Sequence, residues 1–278
     1  MGSFKDVVGH RDIINYIKNA VKMDQVSHAY IMNGERGAGK KLLAYLFAMT
    51  LLCEEGGEEP CNTCHSCRQA ETGNHPDIIR VTHEKPNSIS VDDIREQVNN
   101  TIMIKPYQGP YKVYIIDHAD LMTPQAQNAL LKTIEEPPQY AVLMLLTENA
   151  EALLPTINSR CVMLRLRYIK DKLIKKYLME SLKVPDYKAD LCTAFAQGNM
   201  GHAIMLANSE HFNEIREAAV HLLRHVHDME LSEIVEAVNS VTAFKLEITD
   251  YLDIIAVWYR DVLLYKATRD MDTVVFKD

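Results

Sequence analysis

Five short apolar runs constrain the first part of this chain more than any other feature: AYIMN (29–33), DIIRVT (77–82), KVYIID (112–117), AVLMLLT (141–147) and CVMLRL (161–166). They lack the alternation of a sheet wetted on one face, so each is expected to be a strand covered on both sides. Helix-length amphipathic stretches separate them, at 10–23, 39–53, 91–101 and 124–136. In the last of these Ala126, Ala129, Leu130 and Ile134 recur at helical spacing, and Pro124 suits a first-turn position. Strands alternating with helices predict a parallel α/β sheet with helices on both faces.

After about residue 167 the strand signal stops. Segments 170–183, 187–196 and 200–208 read as helices, divided by Pro185 and by the breaker QGNMG at 197–201. Longer helical patterns follow in FNEIREAAVHLLRHVHDM, LSEIVEAVNSV and LEITDYLDIIAVWYRDVLLYKAT. The expected organisation is therefore an α/β domain over 1–167, a small helical domain over 168–208 and a second helical domain over 209–278. With 278 residues, 47% of them hydrophobic, the chain can bury a sizeable core. No apolar run reaches the length of a membrane span and the start lacks a secretory signal, so a cytoplasmic protein is expected. A net charge of −8 disfavours a stand-alone nucleic-acid binder.

GERGAGKK, residues 34–41, joins the first strand to the second helix. In that context Gly34, Gly37 and Gly39 would let backbone N–H groups cradle phosphate, with Lys40 as point charge. The pattern then requires a Ser or Thr hydroxyl to hold magnesium, and Lys41 stands there instead. Asp117, ending the third strand, would be the metal-holding carboxylate of such a site, but the neighbouring position expected to carry a glutamate is His118. Two separate parts of a hydrolytic site are missing.

Four of the six cysteines lie close together in sequence: Cys53, Cys61, Cys64 and Cys67. Four thiolates at this spacing suit a closed, tetrahedral, structural zinc site, with His65 facing solvent. A disulfide reading is weak for a cytoplasmic chain. His221, Arg224 and His225 along one helix, and Trp258 in another, read more simply as a solvated face and as packing.

HAYIMNGERGAGK (28–40), the cysteine cluster, GNHPDI (73–78), VYIIDHADLMTPQAQNALLKTIEEPP (113–138) and LLPTINSRC (153–161) occur in that order. Together they resemble the clamp-loader subunits of bacterial DNA polymerase III, members of the AAA+ superfamily, over residues 4–208. The resemblance implies a P-loop AAA+ core, a helical lid and a C-terminal helical collar. Because the family's members are longer, an incomplete collar is expected here. It also implies zinc at the cysteine insertion, gamma/tau and delta subunits as partners, and contact with primer-template DNA only through the complex. Contact with the sliding clamp is left open, as is binding of ATP or ADP.

In this family the arginine of the S-R-C motif, here Arg160, reaches the gamma-phosphate held by a neighbouring subunit. Thr147 falls where the family keeps a polar sensor. Motor subunits also carry an arginine in the small domain, yet none lies between Arg167 and Arg216. With Lys41 and His118, that absence favours the non-hydrolysing delta-prime type over the gamma/tau motors. The alternatives are an active gamma/tau-like ATPase and a zinc-dependent nucleic-acid-binding module.

Overall fold

Successive residues of a strand point to opposite faces. In β1 (Ala29–Asn33) both sets are buried: Tyr30 and Met32 on one side of the sheet, Ala29 and Ile31 on the other. The computed structural model describes residues 2–209, 220–226, 229–242, 248–271 and 274. β2 (Ile78–Val81), β3 (Lys112–Ile116), β4 (Ala141–Thr147) and β5 (Val162–Arg165) complete a five-stranded sheet in the order β2-β3-β4-β1-β5. Every pairing is parallel. β4 is buried at all seven positions, the consequence of being central and doubly covered.

α1 (Arg11–Lys22), α2 (Lys40–Leu52) and α3 (His65–Glu71) supply one covering layer, through Ile13, Ile17, Leu43, Phe47, Cys67 and Ala70. The other layer comes from α4 (Val91–Ile94), α5 (Pro124–Glu135) and α6 (Pro155–Asn158), through Ile94, Ala126, Leu130, Ile134 and Ile157. In α2 only Lys41 and Leu42 are exposed, so this helix is apolar nearly all round. α5 begins as its sequence predicts: the Thr123 side chain accepts from Ala126 N and Pro124 follows at the first helical position.

Two local features depart from the expectation. The helix expected over 91–101 is α-helical only to Ile94 and continues as a π-helical segment over Arg95–Asn99. α3 was not expected at all. Its cap is the Cys64 sulfur, which accepts from Cys67 N, a start signal outside the usual Ser, Thr, Asp and Asn set.

The chain divides into two compact units, Met1–Arg167 and Tyr168–Asp278. The second contains α7 (Asp171–Glu180), α8 (Asp186–Ala196) and α9 (Met200–Asn208), whose buried residues include Ile174, Leu178, Phe195 and Leu206. Residues 220–225 are helical; the remainder of the helix expected over 212–229 falls largely outside the described residues. α10 (Leu231–Thr242) and α11 (Ile248–Thr268) follow, and Arg224 lies over the Trp258 ring at 5.8 Å. Among the described residues no helix is long and apolar enough to cross a membrane.

Candidate functional site

β1 runs between β4 and β5, and the chain leaves its C-terminal end as a loop that turns directly into α2. In an open parallel sheet this end of the central strands is where crevices form. Gly34 begins the loop, donating its N–H to Thr147 O at 3.1 Å; a Cβ there would stand 2.9 Å from the Leu166 Cβ. Gly39 precedes α2 with φ 95°, a left-handed conformation that a side chain would strain although nothing crowds it. His10 braces the loop from behind: its Nε2 donates to Ala38 O at 3.1 Å, and burial lowers its pKa from 6.5.

The cleft beside the loop has a volume of about 790 Å³ and is lined by Arg36, Lys40, Lys41, Asp117, Asp120 and Glu148 among others. Lys40 is buried and donates to Gly34 O at 2.5 Å and Glu35 O at 3.0 Å. Burial lowers its pKa, against the raising influence of Glu148, Asp117 and Asp120. Lys41, one residue on, is 71% exposed, yet its Nζ lies 2.5 Å from Asp117 Oδ2. His118 Nε2 lies 3.4 Å from that same oxygen. The carboxylate that would face a metal in a hydrolytic site therefore faces an ammonium.

Thr147 is fully buried and donates its hydroxyl to Asp120 Oδ1 at 2.9 Å; Glu148 N donates to the same atom at 3.2 Å. Thr147 is thus tied to an aspartate three residues beyond Asp117. Arg160 is not among the residues lining the cleft. It follows α6, where the Asn158 side chain anchors the turn by donating to Ala150 O and Leu153 O. Its Nη1 donates to Thr156 O at 3.1 Å, its Nη2 pairs with Glu135 Oε1 at 3.0 Å, and both charged side chains are exposed.

The sulfurs of Cys53, Cys61, Cys64 and Cys67 all lie within 4.8 Å of one another, Cys61 and Cys67 at 4.0 Å. Four thiolates around a tetrahedral ion at about 2.3 Å would stand about 3.8 Å apart, so the donor set fits one metal ion of the zinc type. Backbone amides already turn toward the sulfurs: Thr63 N and Cys64 N donate to Cys61, and Cys67 N donates to Cys64. Hydrogen bonds from Thr63 first, and from Cys64 N, lower the Cys61 pKa to about 6, which favours the thiolate a metal requires. Burial raises Cys53 and Cys67. His65 is exposed at the start of α3, outside the cluster.

A profile of the family described as DNA polymerase III, delta subunit, matches residues 9–170. DNA polymerase III subunit delta' of Bacillus subtilis is 33% identical over 96% of this chain and 80% of its own length. The chain belongs to the DNA polymerase III clamp-loader subunit family. Subunit tau of the same organism is 30% identical over 99% of this chain and 52% of its own length. Subunit tau of Escherichia coli is 35% identical over 63% and 27%. A solved gamma-subunit-related protein from Thermotoga maritima aligns with TM-score 0.43 at 21% identity, over 87% of this chain and 96% of that one.

Within this clamp-loader chain the fold brings Gly37, Gly39, Lys40 and Asp117 to the cleft, with Gly34 behind them accepting from Lys40, and gathers the four cysteines elsewhere. Asp120, Glu148 and His10 are site residues that sequence reasoning missed. Asp120 had a faint signal, its three-residue spacing from Asp117 across a tight turn. His10 and Glu148 had none, because their roles depend on contacts between segments distant in sequence.

Proposed function

We propose that this chain is a delta-prime type, non-hydrolysing subunit of a clamp loader. In this reading it helps place a sliding clamp on primed DNA and lends Arg160 to the ATP site of an adjoining gamma/tau motor subunit. The observation that carries the reading is the Lys41 to Asp117 ion pair at 2.5 Å. A magnesium ion bridging nucleotide phosphates needs oxygen ligands in near-octahedral array, and an ammonium against Asp117 neither donates a lone pair nor leaves the carboxylate free. Magnesium-nucleotide does not fit these residues, and the chain's own loop takes no part in hydrolysis.

Arg160 supports the second half of the reading. Among the described residues its exposed guanidinium is held by Thr156, Ser159 and the exposed Glu135, partners that release it at little cost. A planar, permanently charged fork suits a transferring phosphoryl group as a lysine would not. The cysteine cluster holds zinc as a structural ion, and residues 168–208 and 209–278 act as lid and collar. The delta subunit is the remaining protein partner, with primer-template DNA met through the assembly.

The test is reconstitution with motor and delta subunits. Arg160→Ala should lower ATP turnover at the adjoining site on the order of 10³-fold while leaving assembly intact. The isolated chain should turn over no ATP. Unchanged turnover with Arg160→Ala would remove the trans role, and steady hydrolysis by the chain alone would favour a gamma/tau-like ATPase.

A further inference from the structure

The misfit of magnesium has a positive counterpart in how the cleft's donors are spent. An ammonium carries three N–H donors and no acceptor. Lys40 gives two of its three to Gly34 O and Glu35 O, and its Nζ lies 4.0 Å from Glu148 Oε1, an exposed carboxylate that an incoming phosphate would replace as partner. Lys41 bonds Asp117 on one side and is 71% exposed, leaving donors that can turn to a ligand while the Asp117 contact persists. Arg36 lines the same cleft. Asp120 lines the cleft too, with its Oδ1 occupied by Thr147 Oγ1 and Glu148 N. Magnesium in a P-loop site bridges an acidic strand end and the phosphate oxygens; here a tethered monovalent cation already touches the acidic strand end and reaches the cleft.

We propose that this cleft binds the polyphosphate of a nucleotide as the metal-free anion, with the Lys41 ammonium serving as a built-in counterion between Asp117 and phosphate. A divalent ion arriving with the nucleotide would compete with Lys41 for Asp117 and bring its own shell of water. Magnesium therefore weakens binding instead of enabling it. The inference shares Lys41 with the non-hydrolysing reading but stands apart in its test: ATP turnover would defeat that reading, whereas a magnesium preference in binding alone would defeat this one.

The measurement is titration calorimetry of the full chain with ADP, and in parallel with inorganic pyrophosphate, in EDTA and in excess magnesium. The expected result is tighter binding of both probes in EDTA. Pyrophosphate binding in the same direction shows that phosphate, not the base, is recognised; ADP binding without pyrophosphate binding would overturn the polyphosphate assignment. Lys41→Met should weaken ADP binding in EDTA by about tenfold to a hundredfold, the scale of a lost charge-assisted contact. Lys41→Thr, which supplies the hydroxyl and frees Asp117, should reverse the order so that magnesium tightens binding. Position 41 is exposed, and an unchanged melting temperature confirms that both variants fold. Tighter binding by the natural chain in magnesium, no binding in either buffer, or a Lys41→Thr variant that still prefers EDTA would each overturn the proposal.

Discussion

His75 shows how one side chain of the GNHPDI stretch joins two elements. Asp77 N donates to its Nδ1 at 3.1 Å, which leaves the proton on Nε2, and Nε2 then donates to Ser66 Oγ at 2.9 Å. Ser66 passes its own hydroxyl proton to Leu52 O at 2.6 Å, so the serine is spoken for and is no nucleophile. Asp77, buried beside it, accepts from Tyr107 N, Gln108 N and Gly109 N and fixes the turn before β3. The acceptor role of Nδ1 needs the neutral ring, and burial lowers the His75 pKa from 6.5 despite the Asp77 charge. A depressed folded pKa means that the unfolded chain takes up the proton first as pH falls. The stability contributed by His75 is thus complete above about pH 6.5 and is lost as pH drops from there through the folded value. Urea unfolding from about pH 7.5 down to about pH 5 should show this fall, and His75→Gln should flatten it. An unchanged slope in the variant would assign the acid sensitivity elsewhere, His10 being the next candidate since burial lowers its pKa too.

At the scale of elements, the cysteine insertion depends on more than side-chain packing. α3 has seven residues, too short to persist by itself, and its first turn is capped by a sulfur that is also a metal ligand in our reading. Removing the ion should therefore melt the helix that carries Cys67. A chelator should raise amide exchange over residues 61–71 by about tenfold or more while leaving α5 protected. Elemental analysis finding no metal in the native chain would end this reading. The same insertion marks the limit of what the sequence disclosed. The five strands were legible because each is an uninterrupted apolar run, and the cysteine cluster because its ligands are local. α3 was not, since its cap is a cysteine, and the switch to π-helical geometry at Arg95 has no signature in the residues. The pairs Lys41 with Asp117 and Arg160 with Glu135 escaped for a common reason. Each joins segments that only the folded sheet and its helices bring within reach.

For the whole molecule, the two faces of the sheet supply the first unit with a core of its own. Among the described residues, both hydrophobic clusters, one through Tyr30, Phe47 and Leu146 and the other through Tyr114, Leu130 and Leu145, draw their members from the first unit. A domain of that size, with its own closed core and a fully paired central strand, meets the requirements for folding alone. Residues 1–167 expressed by themselves should unfold in a single cooperative step. Leu130 is fully buried at the centre of α5, and Leu130→Ala should cost about 3 kcal/mol through lost contacts and the cavity left behind. Because that cost arises inside the first unit, it should be the same, within about 0.5 kcal/mol, in the fragment and in the full chain. The matching substitution in the second unit, Leu178→Ala, should leave the first unit's transition unmoved and lower only the remaining one. A fragment that is soluble but shows no cooperative transition, or a Leu130→Ala penalty that shrinks markedly on excision, would mean that the second unit helps to hold the first together.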